Sequence, residues 1–150
     1  MAWIAGICVC LAIPSAFMAK SVWNDFRSKV GRNKSFLNEF VTNNYAGKKI
    51  DDVVLNDSRN QIHNIFAKAE KEKGKFVELG VADTIPSFSD ALNEGAELSY
   101  NLPVQFEKGF MTFTFRVRNK DWDQQVIWAE VSEGIAVHDD VKMRIRNRLP

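Results

Sequence analysis

Residues 2–19 carry no charged side chain, and this apolar run constrains the fold more than any other feature of the sequence. As a helix that rises about 1.5 Å per residue, the run extends roughly 27 Å, close to the roughly 30 Å hydrocarbon core of a bilayer. We therefore predict a membrane anchor over residues 1–22. Its expected membrane contacts are Trp3, Ile4, Ile7, Val9, Leu11, Ile13, Phe17 and Trp23.

Two other interpretations of this run stay open, a secretory signal peptide and a buried core helix. A signal peptide has basic residues before its apolar stretch and small residues at the cleavage site. Here only the amine of Met1 precedes the run, and cleavage after Ala19 places the bulky Phe17 at the minus-three position. Pro14 strains a straight core helix, whereas membrane helices tolerate proline when the freed backbone groups find partners. These features favour an anchor.

Positive charge follows the apolar run directly. Residues 20–34 hold five lysines and arginines and a single aspartate. Lysine and arginine flank membrane helices on the cytosolic, matrix or stromal side, so the rest of the chain is predicted to face that side. Trp3 and Trp23 lie near the two ends of the run, where tryptophan favours the headgroup layer of a bilayer.

Composition limits the chemistry of the remaining residues. The formal net charge is +1, which gives no bulk electrostatic reason for nucleic-acid binding. The two cysteines, Cys8 and Cys10, both lie inside the apolar run, so the later residues have no thiol for a disulfide, a metal or a nucleophile. The phospholipid bilayer is therefore an expected partner, and nucleic acid is not.

Residues 23–56 are predicted to form an amphipathic helix next to the membrane, followed by a connector. Apolar side chains recur at three- and four-residue spacing from residue 21 to about residue 44, which is typical of one helix face. The pattern fits a helix that contacts a partner or a membrane surface, and it fits equally a helix packed on its own domain. The stripe comprises Val22, Trp23, Phe26, Val30, Leu37, Phe40 and Val41.

An α+β domain is predicted over residues 57–150. A second helix is expected from about Ser58 to Gly74, because Ser58 and Gln61 have the spacing of a capping box and glycine commonly ends a helix. After a turn at residues 76–80, the hydrophobic period changes from 3.6 to 2, which indicates strands. The prediction is a single transmembrane helix, two further helices and an antiparallel meander of about four strands, at residues 96–102, 111–117, 126–131 and 141–145.

Candidate catalytic residues are few. His138 lies beside Asp139 and Asp140, a combination that can bind a divalent metal or relay a proton. Adjacent loop residues seldom converge on one ion, and aspartate is common in turns, so a solvated turn is the simpler interpretation. The sequence contains no nucleophile-elbow, phosphate-loop, zinc-helix or dinucleotide-binding signature. We therefore expect no enzyme, cofactor or metal site, with an anchored enzyme that uses these three residues as the alternative.

Four cations alternate along the last predicted strand, which places them on one face. Such a stripe fits contact with anionic lipid, an acidic protein segment or RNA. Solubility alone also explains it, because exposed sheet faces and edges commonly carry lysine and arginine. The candidate contact residues are Lys142, Arg144, Arg146 and Arg148.

Residues 58–131 show an order of short features that is typical of one protein family. The features are a short helix ending at Leu79-Gly80, a strand from Gly95 to Tyr100 that runs into Pro103-Val104, a turn at Gly109, a strand from Met111 to Val117, and a tryptophan strand with Trp122 or Trp128. This order resembles the cytochrome c oxidase assembly factor 1 family, whose relatives include the inner-membrane presequence translocase subunit 21.

Two features depart from that family. Its members carry more glycines after the Pro-Val pair, where this chain has Gln105 and Phe106. Its domains face the intermembrane space, whereas the positive flank predicts the matrix or cytosolic side. The resemblance implies a non-enzymatic protein of the mitochondrial inner membrane that binds subunits of a respiratory or translocase complex.

The expected function is thus that of a membrane-anchored assembly factor or accessory subunit of a membrane complex. A secreted, signal-cleaved domain that binds a ligand is a further hypothesis, which follows from the signal-peptide interpretation of the apolar run.

Overall fold

The structure, a computed structural model, describes residues 2–84, 97–120 and 123–134, and for residues 2–19 and 120 it describes the backbone alone. Two α-helices precede a four-stranded antiparallel sheet, which confirms the predicted α+β class. Two short 3-10 turns, Asp51–Val53 and Asn56–Ser58, lie between the helices. The main elements are α1 (Ala2–Tyr45), α2 (Arg59–Lys73), β1 (Phe76–Leu79), β2 (Glu97–Phe106), β3 (Gly109–Lys120) and β4 (Asp123–Glu133).

The sheet is a meander in which each strand pairs with the next along the chain, in the order β1-β2-β3-β4. Glu107 and Lys108 form the predicted turn between β2 and β3, and Phe106 pairs with Gly109 across it. Gly109 has a φ of 123°, a backbone conformation that favours glycine. The next hairpin closes at the pair Lys120 and Asp123.

β1 occupies residues that were predicted to form a turn. Phe76 pairs with Phe106 and Leu79 pairs with Val104, so this segment is the first strand of the sheet. Its four residues are too few for alternating polarity to identify a strand, and the pairing with β2 decides their conformation. The predicted strand at residues 141–145 lies outside the described residues.

β2 continues through Pro103, which has no amide hydrogen to donate. The ladder between β1 and β2 ends at Leu79, opposite Val104, so Pro103 lies beyond its last pair. The Gly80 amide donates to the Pro103 carbonyl at 2.7 Å. A Cβ atom on Gly80 would lie 3.0 Å from both the Cβ and the carbonyl oxygen of Pro103, tighter than nearly all Cβ contacts, so this close approach favours glycine.

The hydrophobic core lies between the inner face of the sheet and the two helices. Phe40 of α1 meets Phe66 of α2 and Phe115 of β3, and each pair of ring centroids is 5.8 Å apart. Complete burial of such a side chain stabilises the fold by roughly 2–3 kcal/mol. The predicted alternation of β3 is confirmed, because its buried apolar side chains are Met111, Phe113, Phe115 and Val117.

The structure decides between the two open interpretations of the α1 stripe. From Phe26 onward the helix packs on its own domain, in the same core as the sheet. Val22 and Val30 are half-buried, and Trp23 is 39% exposed. The prediction of an anchor helix and a separate amphipathic helix after it is wrong for the described backbone, because α1 runs without a break from the apolar run into this core and the structure has two α-helices instead of three. The buried members of the stripe are Phe26, Leu37, Phe40 and Val41.

The predicted capping box at the start of α2 is wrong. Ser58 precedes the helix but makes no side-chain cap, and its hydroxyl donates instead to the Ile127 carbonyl of β4 at 2.5 Å. The Gln61 side-chain amide donates to the Ala129 carbonyl at 3.0 Å. Both side chains therefore attach α2 to the sheet. The predicted helix end at Gly74 is confirmed, with a φ of 81°.

The anchor stays a prediction from the sequence. The side chains of residues 2–19 lie outside the described part of the chain. Among the residues that the structure does describe, no helix combines the length and the apolar character that a bilayer crossing needs.

Candidate interaction surface

Four side chains gather on the sheet face that points away from the helices. Strand pairing brings them together, because Glu97 pairs with Arg118 and Arg116 pairs with Trp128. Successive side chains of a strand point to opposite faces, and Val117 lies in the core, so its two arginine neighbours lie on the outer face. We call this set the outer-face cluster, and it comprises Glu97, Arg116, Arg118 and Trp128.

A β-bulge places Trp128 on the outer face. Val117 pairs with Val126, but the preceding residue of β3, Arg116, pairs with Trp128, which leaves Ile127 as an extra residue in β4. An extra residue shifts the alternation of the strand by one position. Val126 therefore stays in the core, whereas Trp128, two residues later, lies on the opposite face.

The arginines of the cluster share one carboxylate. Arg118 donates to Glu97 Oε1 from Nη2 at 2.6 Å and from Nε at 3.2 Å. The Nη1 atom of Arg116 lies 3.9 Å from Glu97 Oε2, and the Arg116 guanidinium lies 5.4 Å from the centre of the Trp128 ring. The Arg116 side chain is 47% exposed. Such exposed ion pairs and cation–π contacts each contribute about 0–1 kcal/mol, so the cluster adds little to the stability of the fold.

This chemistry suits protein recognition. Arginine and tryptophan are enriched among the residues that dominate binding at protein interfaces, where a fixed aromatic ring loses little entropy on contact. Trp128 is half-buried and is covered on one side by Arg116, on a sheet whose other face is a packed core. The outer-face cluster therefore presents an ordered polar and aromatic surface.

The two edges of the sheet differ. The Leu55 amide donates to the Val126 carbonyl at 3.0 Å, next to the bonds that Ser58 and Gln61 make to β4. The chain itself thus occupies this part of the β4 edge. At the β1 edge, Val77 is 51% exposed, and Val81, just after the strand, is 67% exposed. Among the residues that the structure describes, the β1 edge is consequently the more exposed one.

A buried polar contact fixes α1 on the sheet. The Nδ2 atom of Asn33 donates to the Tyr100 hydroxyl at 2.9 Å, and Gln124 Nε2 donates to Asn33 Oδ1 at 2.9 Å. Burial raises the pKa of Tyr100 to about 12, and the hydrogen bond from Asn33 offsets part of that rise. These bonds join α1 to β2 and β4, beside the strand ends that carry the outer-face cluster.

An exposed pair holds the connector against α2. Asp51 Oδ1 lies 2.7 Å from His63 Nε2, and Arg59 Nη2 donates to the Asp51 carbonyl at 2.9 Å. The hydrogen bond with His63 lowers the pKa of Asp51. Within the described residues, no group of three histidine, cysteine or acidic side chains has a geometry that would hold a metal ion.

Most residues that the sequence singled out lie outside the described side chains. The backbone of residues 3–17 belongs to α1, but the side chains of that stretch are not described. Residues 138–140 and the basic positions Lys142, Arg144, Arg146 and Arg148 lie wholly outside the described residues. Trp23 is the described member of the predicted membrane contacts, and its ring stacks on Phe26 with centroids 5.8 Å apart.

Sequence reasoning missed two features of this region. The alternation along residues 111–118 predicts only that Arg116 and Arg118 lie on the polar side of a strand, because it reveals the face of a residue but not its partner. Asn33 was overlooked although it lies at helical spacing between Val30 and Leu37, inside the apolar stripe. A polar residue inside an apolar helix stripe is the signal that identifies Asn33 as a candidate for a buried polar contact.

Comparisons with protein families, with curated proteins and with solved structures find no match to this chain. The resemblance of residues 58–131 to the cytochrome c oxidase assembly factor 1 family therefore stays a prediction from the sequence.

Proposed function

We propose that this protein is a membrane-tethered, non-enzymatic interaction protein that acts as an assembly factor or accessory subunit of a membrane complex. The observation that carries the proposal is the outer-face cluster, in which the Arg116 guanidinium lies 5.4 Å from the Trp128 ring on the sheet face opposite the helices. The apolar run of residues 2–19 is the tether.

The rigidity of the sheet supports a binding role for this surface. Phe115 and Val117, which flank Arg116 in β3, are completely buried, so the strand beneath the cluster has little freedom to move. A partner that covers Trp128 would therefore gain apolar contact without ordering a loop. The Arg116 guanidinium covers one side of the ring, and polar side chains of this kind are typical of the rims of protein interfaces.

The mitochondrial inner membrane is the location that we propose, on the basis of the family resemblance. The partners would then be subunits of a respiratory or translocase complex. The positive flank at residues 20–34 favours the matrix side, and the resemblance favours the intermembrane space. Protease protection of the chain in intact mitochondria and in mitoplasts distinguishes the two sides.

Site-specific cross-linking tests the proposed surface. A photo-cross-linking amino acid replaces Ser99, an exposed residue that pairs with Arg116 beside the cluster. The matched control carries the same amino acid in place of Asn64, an exposed residue of α2. We expect discrete membrane-protein adducts from position 99 and not from position 64. Identical adducts from both positions, or none from position 99 in membranes that contain the chain, would contradict the proposal.

A further inference from the structure

We infer that Lys20, Trp23 and Arg27 bind the anionic headgroup layer of a bilayer, an inference that rests on the membrane tether proposed above. The three residues lie on α1 directly after the apolar run, and the side chains of Lys20 and Arg27 are exposed. Anionic phospholipid headgroups are thus the chemistry that this part of the chain recognises.

The cations form a row along one side of α1. Lys20, Arg27 and Lys34 are seven residues apart, nearly two helical turns, so they lie above one another. At about 100° per residue, this row is roughly a quarter turn from Phe26, which faces the core. Asp25, the one acid of residues 20–34, lies on the other side of the helix. The row therefore meets an anionic surface without an acidic residue beside it on α1.

Trp23 adds an amphipathic ring next to the row. Its side chain is 39% exposed, and its ring stacks on Phe26 with centroids 5.8 Å apart. The contact with Phe26 fixes the ring on the side of α1 that carries the row. An indole held in this way, one turn beyond an apolar run, suits the headgroup layer, where its apolar body and its N–H group are both accommodated.

The distances of Arg27 and Lys34 from Lys20 along α1 distinguish contact with lipid from contact with an acidic protein. The headgroup layer extends roughly 5–8 Å beyond the hydrocarbon core on each side. Arg27 lies about 10 Å along α1 from Lys20, and Lys34 lies about 21 Å from it. A long arginine side chain spans the shorter distance by extending back toward the headgroups, and no lysine spans the longer one. Lipid thus contacts the first two cations, whereas an acidic segment along the row contacts all three.

The distribution of charge favours lipid as the occupant. Residues 35–150 hold eighteen acidic side chains and fifteen lysines and arginines, so the rest of the chain has an acidic balance. Residues 20–34, where the chain leaves the apolar run, instead hold five cations and one acid, and residues 142–148 are the other dense cationic stretch. An anionic bilayer would attract residues 20–34 and repel the rest of the chain, which also sets the direction in which that part points.

Vesicle flotation of the full chain tests the inference. The probes are vesicles of phosphatidylcholine alone and vesicles of phosphatidylcholine mixed with phosphatidylglycerol, both at about 0.15 M salt, where the Debye length is about 8 Å. The double variant Lys20→Ala/Arg27→Ala should lower partition into the anionic vesicles about thirtyfold, because each basic residue near such a surface contributes about 1 kcal/mol. The control Lys34→Ala should change it less than about twofold, since it lies beyond the Debye length. All three proteins should partition equally into neutral vesicles.

Two results would overturn the inference. One is unchanged partition of the double variant into anionic vesicles, and the other is an equally large loss with Lys34→Ala, which would indicate an acidic protein segment as the natural occupant of the row. Failure of the unmodified chain to bind neutral vesicles would contradict the tether instead, and the anionic arm would still decide the headgroup contact. Circular dichroism melting confirms that each variant is folded.

Discussion

Asn33 of α1 and Tyr100 of β2 are joined by a buried hydrogen bond, although sixty-seven positions separate them in the sequence. Neither side chain is accessible to solvent. The same asparagine accepts a bond from Gln124 of β4, so one residue of the helix is connected to two strands. A directional contact of this kind sets the rotation of α1 over the sheet, which apolar packing alone specifies less strictly.

Replacing this asparagine should destabilise the fold more than its size suggests. Asn33→Ala deprives the Tyr100 hydroxyl and the Gln124 amide of their partner and opens a small cavity. We expect the free energy of unfolding to fall by about 2–4 kcal/mol in denaturant titrations of the full chain in mild detergent. The double variant Asn33→Ala/Tyr100→Phe should lose less than the sum of the single losses. Full additivity would show that the two side chains do not interact.

Two glycines should respond in opposite directions to the same substitution. Gly80→Ala places a methyl group 3.0 Å from the Pro103 carbonyl oxygen, and we expect a loss of about 1–3 kcal/mol in the free energy of unfolding. At Gly31, an exposed position within α1, an added Cβ meets no atom within 4 Å. Gly31→Ala should therefore stabilise the chain by up to about 1 kcal/mol, because alanine favours the helix. Thermal melting of the two variants measures both effects, and a shift in the same direction would refute this assignment.

The outer-face cluster should affect binding and leave stability nearly unchanged. Arg116→Ala removes a 3.9 Å ion pair and a cation–π contact, both at the surface, so unfolding should change by less than about 1 kcal/mol. The cross-links formed at position 99 should nevertheless weaken severalfold. Lys68→Ala is the control, since it removes a comparably exposed ion pair, with Glu72 of α2 at 3.9 Å, away from the cluster. An equal effect of both variants on cross-linking would count against the proposed surface.

Alkaline titration should report the burial of both tyrosines, which are Tyr45 and Tyr100. Burial raises the pKa of Tyr100 from its ordinary value of 10.0 to about 12. Burial and the charge of Glu70 raise the pKa of Tyr45 well above that ordinary value. Because the unfolded chain releases these protons near pH 10 and the folded chain keeps them, the free energy of unfolding should fall as the pH rises from about 10 to 12.

Ultraviolet absorption of the phenolate provides the measurement for the tyrosines. The native chain should show almost no phenolate near pH 10, where the chain in denaturant is about half ionised. The Tyr100→Phe variant serves as a control, since it should retain the delayed ionisation of Tyr45 alone. Ionisation of both groups near pH 10 in the native chain would mean that the two rings are accessible to water.

The class of the fold could be predicted from the sequence because its strongest signals are local. The alternation of Met111 to Val117 indicates a strand without knowledge of its neighbours, and the change of period after residue 80 separates helices from strands. β1 could not be recognised in this way. Its four residues contain no complete pattern, and pairing with β2 gives them their structure.

Tertiary contacts overrode two local signals. Ser58 and Gln61 have the spacing of a capping box, but β4 offers its carbonyl groups close to the start of α2, and both side chains bind there instead. The position of Trp128 depends on the bulge at Ile127, because simple alternation would place it on the same face as Val126. The outer-face cluster could therefore not be predicted from the sequence, because it depends on the register of the strands.

Because α1 is one continuous helix, the number of residues between the apolar run and the core sets the rotation of the sheet about the helix axis, relative to the apolar run. One uninterrupted helical backbone joins the first apolar residues to the core around Phe40. A single residue inserted between Lys20 and Phe26 would turn Trp128 and its surroundings by about 100° around the axis, while seven residues would almost restore the original direction. For the membrane-tethered protein proposed above, docking to a partner in the same bilayer would thus depend on the number of residues in α1 as well as on their identity.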